Sequence, residues 1–195
     1  MSLQRPNMVL ILSDQQTRSA ASCSGNPWVQ TPHLDRLAVA GTRFDLAYCA
    51  APVCGPSRAS LFTGRMPHEH GVTLNSGPLP EGMPTLGSAF AAAGYDSHYI
   101  GKWHVPHCFP QETDAIPGFR NHPVPNHPLG VVTDPEIVKQ AVEFLATPQD
   151  RPFLLVVSLQ NPHDICHWIM KDRMEWLDHF SPGPDDPLPP LPENF

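Results

Sequence analysis

The stretch Met8-Val-Leu-Ile-Leu-Ser-Asp14 decides which fold class this chain is expected to adopt. It opens with an unbroken apolar run of strand length, which is typical of a buried strand in a parallel sheet. A second run of the same kind, Phe153-Leu-Leu-Val-Val157, lies far along the chain. Each run passes directly into polar residues, and the carboxyl ends of parallel strands are where open α/β sheets bind their ligands.

Helical patterns and one further strand pattern separate these two runs. The first helix is predicted to follow Thr31 as its N-cap and to end at Gly41. The last is predicted to begin with Asp134 as N-cap and Pro135 in the first helical position, and to reach Ala146. Between them we expect an extended segment at 42–48, helices at 56–63 and 85–93, and a strand at 95–100. This alternation predicts an α/β fold with a mostly parallel sheet and helices on both faces.

Proline shapes the second half of the chain. The sequence has 25 prolines among 195 residues, more than twice the average share of about 5%. Residues 105–130 combine proline with histidine and asparagine and lack periodicity, so we expect a long loop there. Residues 181–195 form a Pro-rich tail, which is an unusual way for a compact domain to end. We therefore interpret residues 1–195 as the N-terminal part of a larger, truncated domain.

Charge and composition argue against two classes of partner. The formal net charge is −7 and Lys and Arg form no run or stripe, which argues against nucleic acid. No segment approaches the roughly 20 apolar residues of a membrane helix. No signal peptide is recognisable, so we expect the chain as it stands to be cytoplasmic. Apart from Cys54, the cysteines are expected to be reduced thiols of the core or loops; these are Cys23, Cys49, Cys108 and Cys166.

The candidate catalytic residues centre on the segment Cys54-Gly-Pro-Ser-Arg58, which is followed by Ala-Ser-Leu-Phe-Thr-Gly-Arg65. The combined segment resembles the signature of the sulfatase family, in which the cysteine is oxidised to formylglycine. Further resembling segments run through most of the chain: Arg5-Pro-Asn7, Ser13-Asp-Gln15, Thr31-Pro-His-Leu-Asp-Arg-Leu37, Gly101-Lys-Trp-His104 and Asn161-Pro-His-Asp164. The resemblance implies an alkaline-phosphatase-like fold, hydrolysis of sulfate esters, and a formylglycine-generating enzyme as maturation partner.

The chemistry of that family explains the use of a modified cysteine. The hydrated aldehyde has two hydroxyl groups on one carbon. One attacks sulfur and displaces the alcohol, which leaves a sulfate ester on the enzyme. The other then loses its proton, the carbon–oxygen bond to sulfate breaks, and the aldehyde is restored. A serine in place of Cys54 would lack the second hydroxyl and would stay trapped as its ester.

The resemblance also assigns supporting roles. Arg58 would hold the formylglycine in place, and Lys102 would supply positive charge to the sulfate oxygens. His104 would take the hydroxyl proton that starts sulfate release, and His163 would donate a proton to the leaving alcohol.

A metal site is implied as well. Asp14 and Gln15, together with the residue derived from Cys54, would hold a divalent cation. Ca²⁺ is usual in the family, with Mg²⁺ or Mn²⁺ as alternatives, and such hard cations prefer oxygen ligands. Many members have an aspartate where Gln15 stands, so this chain has one negative charge fewer at the site.

Several alternatives remain open from the sequence. The family's second metal-ligand pair and second lysine come from further along the chain than Phe195, so this chain alone is expected to be nearly inactive and to self-associate. The substrate is expected to be a sulfate ester of a small molecule or saccharide. A phosphonate or phosphodiester hydrolase would share the nucleophile and the Asp-Gln pair. A non-catalytic fragment, or a domain with a partial metal site, is the alternative of another class.

Overall fold

The described residues contain a four-stranded parallel sheet. The computed structural model describes residues 5–110 and 115–168, and the Pro-rich tail at 181–195 lies outside the described residues. Within the described part, the strands are β1 (Met8–Asp14), β2 (Asp96–Gly101), β3 (Arg120–His122) and β4 (Phe153–Pro162). They pair in the order β1-β4-β2-β3, and every pair is parallel. The predicted parallel sheet is confirmed.

In sequence, five of the described α-helices lie between strands and the sixth follows β4. They are α1 (Pro32–Ala40), α2 (Cys54–Thr63), α3 (Pro67–His70), α4 (Leu86–Ala92), α5 (Gly130–Ala146) and α6 (Ile165–Trp168). In the described part of the chain, no helix combines the length and apolar character that crossing a bilayer requires.

Contacts divide the chain into two units. The first takes in the described residues up to Asp14 together with Tyr48–Pro162, and it contains the whole sheet. The second takes in Gln15–Ala47 and the described residues from His163 onward.

Helices cover both faces of the sheet. Successive side chains of β2 and β4 point to opposite faces, so each face presents apolar side chains against which helices pack. On one face, Tyr99 and Val156 join a buried cluster with Phe62 of α2, against which α4 packs. On the other face, Ile100 and Leu155 pack with residues of α5. The predicted two-faced α/β arrangement is therefore confirmed.

β1 differs from its prediction in burial. Met8, Val9 and Ile11 are 43%, 44% and 62% exposed. The reason is position: β1 stands at the end of the described strand order, with β4 on one side only. An unbroken apolar run predicted the strand and its parallel pairing correctly but could not reveal that it lies at an edge.

The start of α5 was also predicted wrongly. The helix begins at Gly130, so Pro135 lies inside it rather than in its first position. Asp134 does not act as its N-cap. Its carboxylate instead accepts the backbone N–H groups of Gln160, at 2.7 Å, and Asn161, at 2.9 Å. The Asp134 side chain therefore binds the backbone of β4, far away in sequence, and not the helix start that the local pattern predicted.

Three smaller differences follow from contacts that local patterns do not encode. α2 begins at Cys54, two residues before the predicted start at Pro56. Residues 42–48 form no strand, and a turn at residues 45–46 interrupts the predicted extended segment. The loop predicted at 105–130 contains β3, which pairs with β2 and is too short to show periodicity.

Candidate active site

The first unit brings four of the predicted site residues together at the carboxyl end of the sheet. Asp14 is the last residue of β1, and Lys102 follows the end of β2 directly. Cys54 is the first residue of α2, and Arg58 lies one turn further along the same helix. These elements meet because parallel strands end at one edge of the sheet, and α2 packs against that sheet through Phe62.

Asp14 is the centre of a buried charge cluster. Its Oδ2 lies 2.6 Å from Lys102 Nζ and 3.3 Å from Arg58 Nη2. Lys102 is 1% exposed, Arg58 6% and Asp14 7%. One carboxylate therefore faces two cations in a place that water scarcely reaches. The surplus positive charge suits the site to an anion, since charges interact more strongly where solvent is excluded.

The backbone of Lys102 is held as firmly as its side chain. Its carbonyl oxygen accepts hydrogen bonds from Arg58 Nη1 at 2.6 Å, Ser158 Oγ at 2.7 Å and Tyr99 Oη at 2.7 Å. Burial raises the pKa of the Tyr99 phenol, which keeps it a neutral donor. The lysine is thus fixed by side chains from α2, β2 and β4.

Gly101 makes that arrangement possible. Its φ is +105°, and a Cβ placed on it would lie 2.1 Å from the carbonyl oxygen of Ser158. Only glycine accepts both the positive φ and the close approach. The same Ser158 oxygen accepts the Lys102 N–H at 2.9 Å.

The start of α2 is stabilised from outside the helix. Its N-cap residue, Val53, has no side-chain oxygen to offer. Asn75 takes over this function, because its Oδ1 accepts the Gly55 N–H at 2.7 Å. The helix start carries partial positive charge, which again favours an anion beside Cys54.

A buried histidine ties the other end of α2 to the following turn. His70 Nδ1 accepts the Val72 N–H at 3.1 Å, so Nε2 carries the proton and donates to Ser60 Oγ at 2.9 Å. Burial lowers the pKa of His70, consistent with a neutral ring. The pair fixes α2 and therefore the residues on it.

Cys54 itself faces Asp14. Its Sγ lies 3.7 Å from Asp14 Oδ1. Burial raises the pKa of the thiol, and the Asp14 charge raises it further, against the opposing effect of Lys102 and Arg58. The unmodified side chain is therefore a thiol rather than a thiolate.

The donor groups at this point fit a hard cation if residue 54 carries oxygen. Asp14 Oδ1 and the side chain of residue 54 point at each other. A carboxylate oxygen beside an aldehyde-hydrate oxygen is the kind of donor pair that Ca²⁺ or Mg²⁺ prefers, whereas sulfur is not.

His104 lies beside the start of α2. Its φ is +63°, and its N–H donates to the carbonyl oxygen of His107 at 2.6 Å. Its own carbonyl oxygen lies 3.0 Å from the place that a Cβ on Gly55 would occupy. The backbone of His104 thus approaches the residue next to Cys54, and the strained φ fits a functional position.

The two remaining predicted residues belong to the second unit and are described with it. Gln15 is exposed and has a left-handed φ of +63°, which is uncommon for a residue other than glycine. His163 is partly buried and opens the turn that leads into α6, where its carbonyl oxygen accepts the Cys166 N–H at 3.0 Å. Their assigned roles, at the metal and the leaving group, stay predictions.

Sequence reasoning missed four supporting residues. Ser158 was visible as the first polar residue after the apolar run at 153–157, but nothing in the sequence indicated its partner. Asn75, His70 and Tyr99 carry no local signal, because each acts through a contact with another element.

Comparison with known proteins identifies the family to which the chain is similar. A family model described as Sulfatase matches residues 6–172. The Delta 4,5-hexuronate-2-O-sulfatase of Bacteroides thetaiotaomicron is 33% identical, over 98% of this chain and 41% of its own length. The solved structure of a 2-O GAG sulfatase matches with a TM-score of 0.81 at 31% identity, covering 98% of this chain and 42% of that one. A structure in complex with its substrate, D-glucosamine-2-N,6-O-disulfate, matches with a TM-score of 0.71 at 26% identity, covering 93% and 40%. The chain spans less than half the length of these proteins.

Proposed function

Because the chain belongs to the sulfatase family and has its alkaline-phosphatase-like fold, we propose that it carries the nucleophile part of a sulfuric ester hydrolase. The observation that carries the proposal is the buried cluster of Asp14, Arg58 and Lys102 around the side chain of Cys54. It combines a surplus positive charge with a modifiable residue at a helix start. Attack on a sulfate ester needs a nucleophile, here derived from residue 54, and positive charge close to the sulfate oxygens.

Cys54 is the proposed site of the formylglycine. As its hydrate, this group supplies the hydroxyl that attacks sulfur and the second hydroxyl that later expels sulfate. The position at the first residue of α2 supports the proposal, since the helix start favours the negative charge that develops there. Arg58 donates to the Lys102 carbonyl oxygen, and its proposed role is to hold the formylglycine in place.

Asp14 and Gln15, with the oxygen-bearing residue 54, are the proposed ligands of a divalent cation, most readily Ca²⁺. Such a cation supplies positive charge to the sulfate oxygens when it is bound. The amide of Gln15 offers a carbonyl oxygen, so the pair keeps two oxygen donors with one negative charge.

The other groups have distinct tasks in the proposed reaction. Lys102 places a positive charge beside the sulfate oxygens, and its fixed backbone means that little reorganisation is needed. His104 accepts the proton of the second hydroxyl, and His163 protonates the departing alcohol. The contribution of these residues is positioning and proton transfer.

Sulfated saccharides are the proposed substrate class. The relatives named above include a hexuronate 2-O-sulfatase and a protein seen with glucosamine disulfate. An aryl phosphonate or phosphodiester is the competing substrate class, because hydrolases of these esters share the Asp-Gln pair found here at residues 14 and 15.

Turnover assays test the proposed reaction directly. The chain, produced with a formylglycine-generating enzyme and supplied with Ca²⁺, is incubated with an aryl sulfate and an aryl phosphonate. Because positioned groups are missing, we expect rates at least about 10²-fold below those of a complete sulfatase. The aryl sulfate should be preferred, and Cys54→Ala should abolish the activity. Preference for the phosphonate, or equal rates in Cys54→Ala, would contradict the proposal.

A further inference from the structure

A second cluster of chemically capable side chains lies in the turn that leads into α6. His163, Cys166 and His167 each offer one ligand atom, and these atoms lie within 4.8 Å of one another. Cys166 Sγ is 3.6 Å from His163 Nδ1, and the two imidazole rings are 6.1 Å apart between centroids. All three residues are partly buried.

The local backbone explains why these side chains converge. The Cys166 N–H donates to the His163 carbonyl oxygen at 3.0 Å, and the His167 N–H donates to that of Asp164 at 2.9 Å. These bonds wind the chain into a tight helical turn directly after β4. Residues three and four apart on such a turn share one face. The spacing His-x-x-Cys-His therefore delivers two imidazoles and one thiol to the same point.

We infer that this cluster binds a thiophilic transition-metal cation, with Zn²⁺ as the expected ion. Two nitrogens and one sulfur are the ligands that Zn²⁺ takes in proteins, and three protein ligands leave one position of the tetrahedron open. Ligand atoms around tetrahedral zinc lie about 3.5 Å apart. The three ligand atoms here lie within 4.8 Å of one another, so modest side-chain rotation would bring them to that distance. Each histidine uses one ring nitrogen for the metal and keeps the other for a hydrogen bond.

This site differs in kind from the one at Asp14. The proposed ligands there are oxygens, which suit Ca²⁺, whereas nitrogen and sulfur favour Zn²⁺. The two sites should therefore be told apart by the metal that each one selects. Ca²⁺ should not compete for the cluster at His163.

Binding would also act on the proposed reaction. A metal-bound His163 ring cannot become an imidazolium, and its remaining N–H is a much weaker acid, so Zn²⁺ should inhibit the proposed protonation of the leaving alcohol. This consequence rests on the proposed function, whereas the binding itself does not. If the chain binds zinc but has no sulfatase activity, the inferred zinc site is supported and only the proposed reaction is contradicted.

The test measures metal binding on the 195-residue chain in a Cys54→Ala background, so that the thiol facing Asp14 cannot contribute. Zn²⁺ affinity is measured by competition with a chromophoric chelator, and Co²⁺ is used as a spectroscopic probe. We expect one Zn²⁺ per chain, unaffected by excess Ca²⁺, and a thiolate-to-Co²⁺ charge-transfer band. Cys166→Ser and His167→Gln should each weaken Zn²⁺ binding by about tenfold or more.

Cys23→Ser is the matched control, because Cys23 is a partly buried thiol of the same unit. It should leave the affinity and the charge-transfer band unchanged, and far-UV circular dichroism should confirm that all variants fold alike. Equal Zn²⁺ affinity in Cys166→Ser and Cys23→Ser would overturn the inference, as would a Co²⁺ spectrum without the thiolate band.

Discussion

Asp14 is the residue on which the charge balance of the first unit depends. Its carboxylate contacts both Lys102 and Arg58, and all three groups are almost fully buried. Removing the carboxylate leaves two buried cations side by side. Removing Lys102 leaves one carboxylate with one guanidinium, which is a balanced pair. The two substitutions should therefore differ in cost although they break the same ion pair.

We predict that Asp14→Asn lowers the free energy of unfolding by about 3–5 kcal/mol, the usual cost of an uncompensated buried charge. Lys102→Met should cost clearly less. Denaturant titration of tryptophan fluorescence, without divalent metal, measures both. Asp45→Asn is the control, because Asp45 pairs with Arg18 and Arg43 at an exposed position, and its loss should change little. A larger loss for Lys102→Met than for Asp14→Asn would contradict this account.

At the scale of elements, sequence patterns predicted what is local and missed what is long-range. The apolar run around Leu155 predicted β4 because burial between helices needs such a run. The run around Leu10 predicted β1, although that strand lies at the edge and is largely exposed. The motif at Cys54 correctly indicated that Cys54 and Arg58 lie one turn apart at the start of a helix. Asn75 escaped prediction because its function depends on meeting Gly55 across a loop. The N-cap assigned to Asp134 failed for the same reason.

The external cap on α2 is testable. Asn75→Ala removes the acceptor of the Gly55 N–H, and the loss of a helix cap costs about 1 kcal/mol. Thr85→Ala is the comparison, since Thr85 caps α4 through the Ser88 N–H and its hydroxyl also donates to the Pro117 carbonyl oxygen. Urea titration should show a loss of unfolding free energy for both variants, and the larger loss for Thr85→Ala, which breaks two hydrogen bonds. An unchanged midpoint for Asn75→Ala beside a lowered one for Thr85→Ala would show that Asn75 does not cap α2.

The junction of β2 and β3 predicts a pH effect. His98 Nδ1 and His122 Nε2 are 2.9 Å apart, and the His98 ring packs against Phe144. Burial, with the nearby His122 and Arg120 and against Asp96, lowers the pKa of His98 to about 4. The folded protein therefore keeps the ring neutral, while the unfolded chain takes up the proton below its ordinary value near 6.5. Stability should fall as the pH drops from 6.5 to 4.

The variant His98→Gln isolates this effect. It keeps a hydrogen-bonding side chain but has no proton to gain, so its stability should fall less over the same window. Denaturant titration from pH 7 to 4 measures the unfolding free energy of the original chain and of the variant. As the pH falls, the original chain should lose more unfolding free energy than the variant. Parallel curves would mean that the pair does not titrate as described.

At the scale of the whole molecule, apolar surface remains uncovered in each unit. In the first, β1 exposes Ile11, and α5 turns a row of apolar side chains outward; these are Val131, Val138, Val142 and Leu145. In the second, α1 exposes Leu37 and Val39. Apolar side chains along an unpaired strand edge favour association with another copy.

We predict that the purified chain self-associates and that Ile11→Lys reduces the association, because a charge on the edge strand opposes pairing. Val39→Lys introduces the same charge at an exposed helical position and should leave the association largely unchanged. Sedimentation velocity at several concentrations compares the three proteins. A monodisperse monomer with one cooperative unfolding transition would contradict the prediction and favour an independent, non-catalytic domain.

If Cys54 is the precursor of the nucleophile, mass spectrometry of the peptide that contains it will detect the conversion. The chain is produced aerobically together with a formylglycine-generating enzyme, beside an established sulfatase as reference. We expect a Cys54 peptide lighter by the difference between H₂S and one oxygen atom, while the Cys23 and Cys49 peptides keep their original mass. A wholly unmodified Cys54 peptide, in cells where the reference sulfatase is converted, would contradict this prediction.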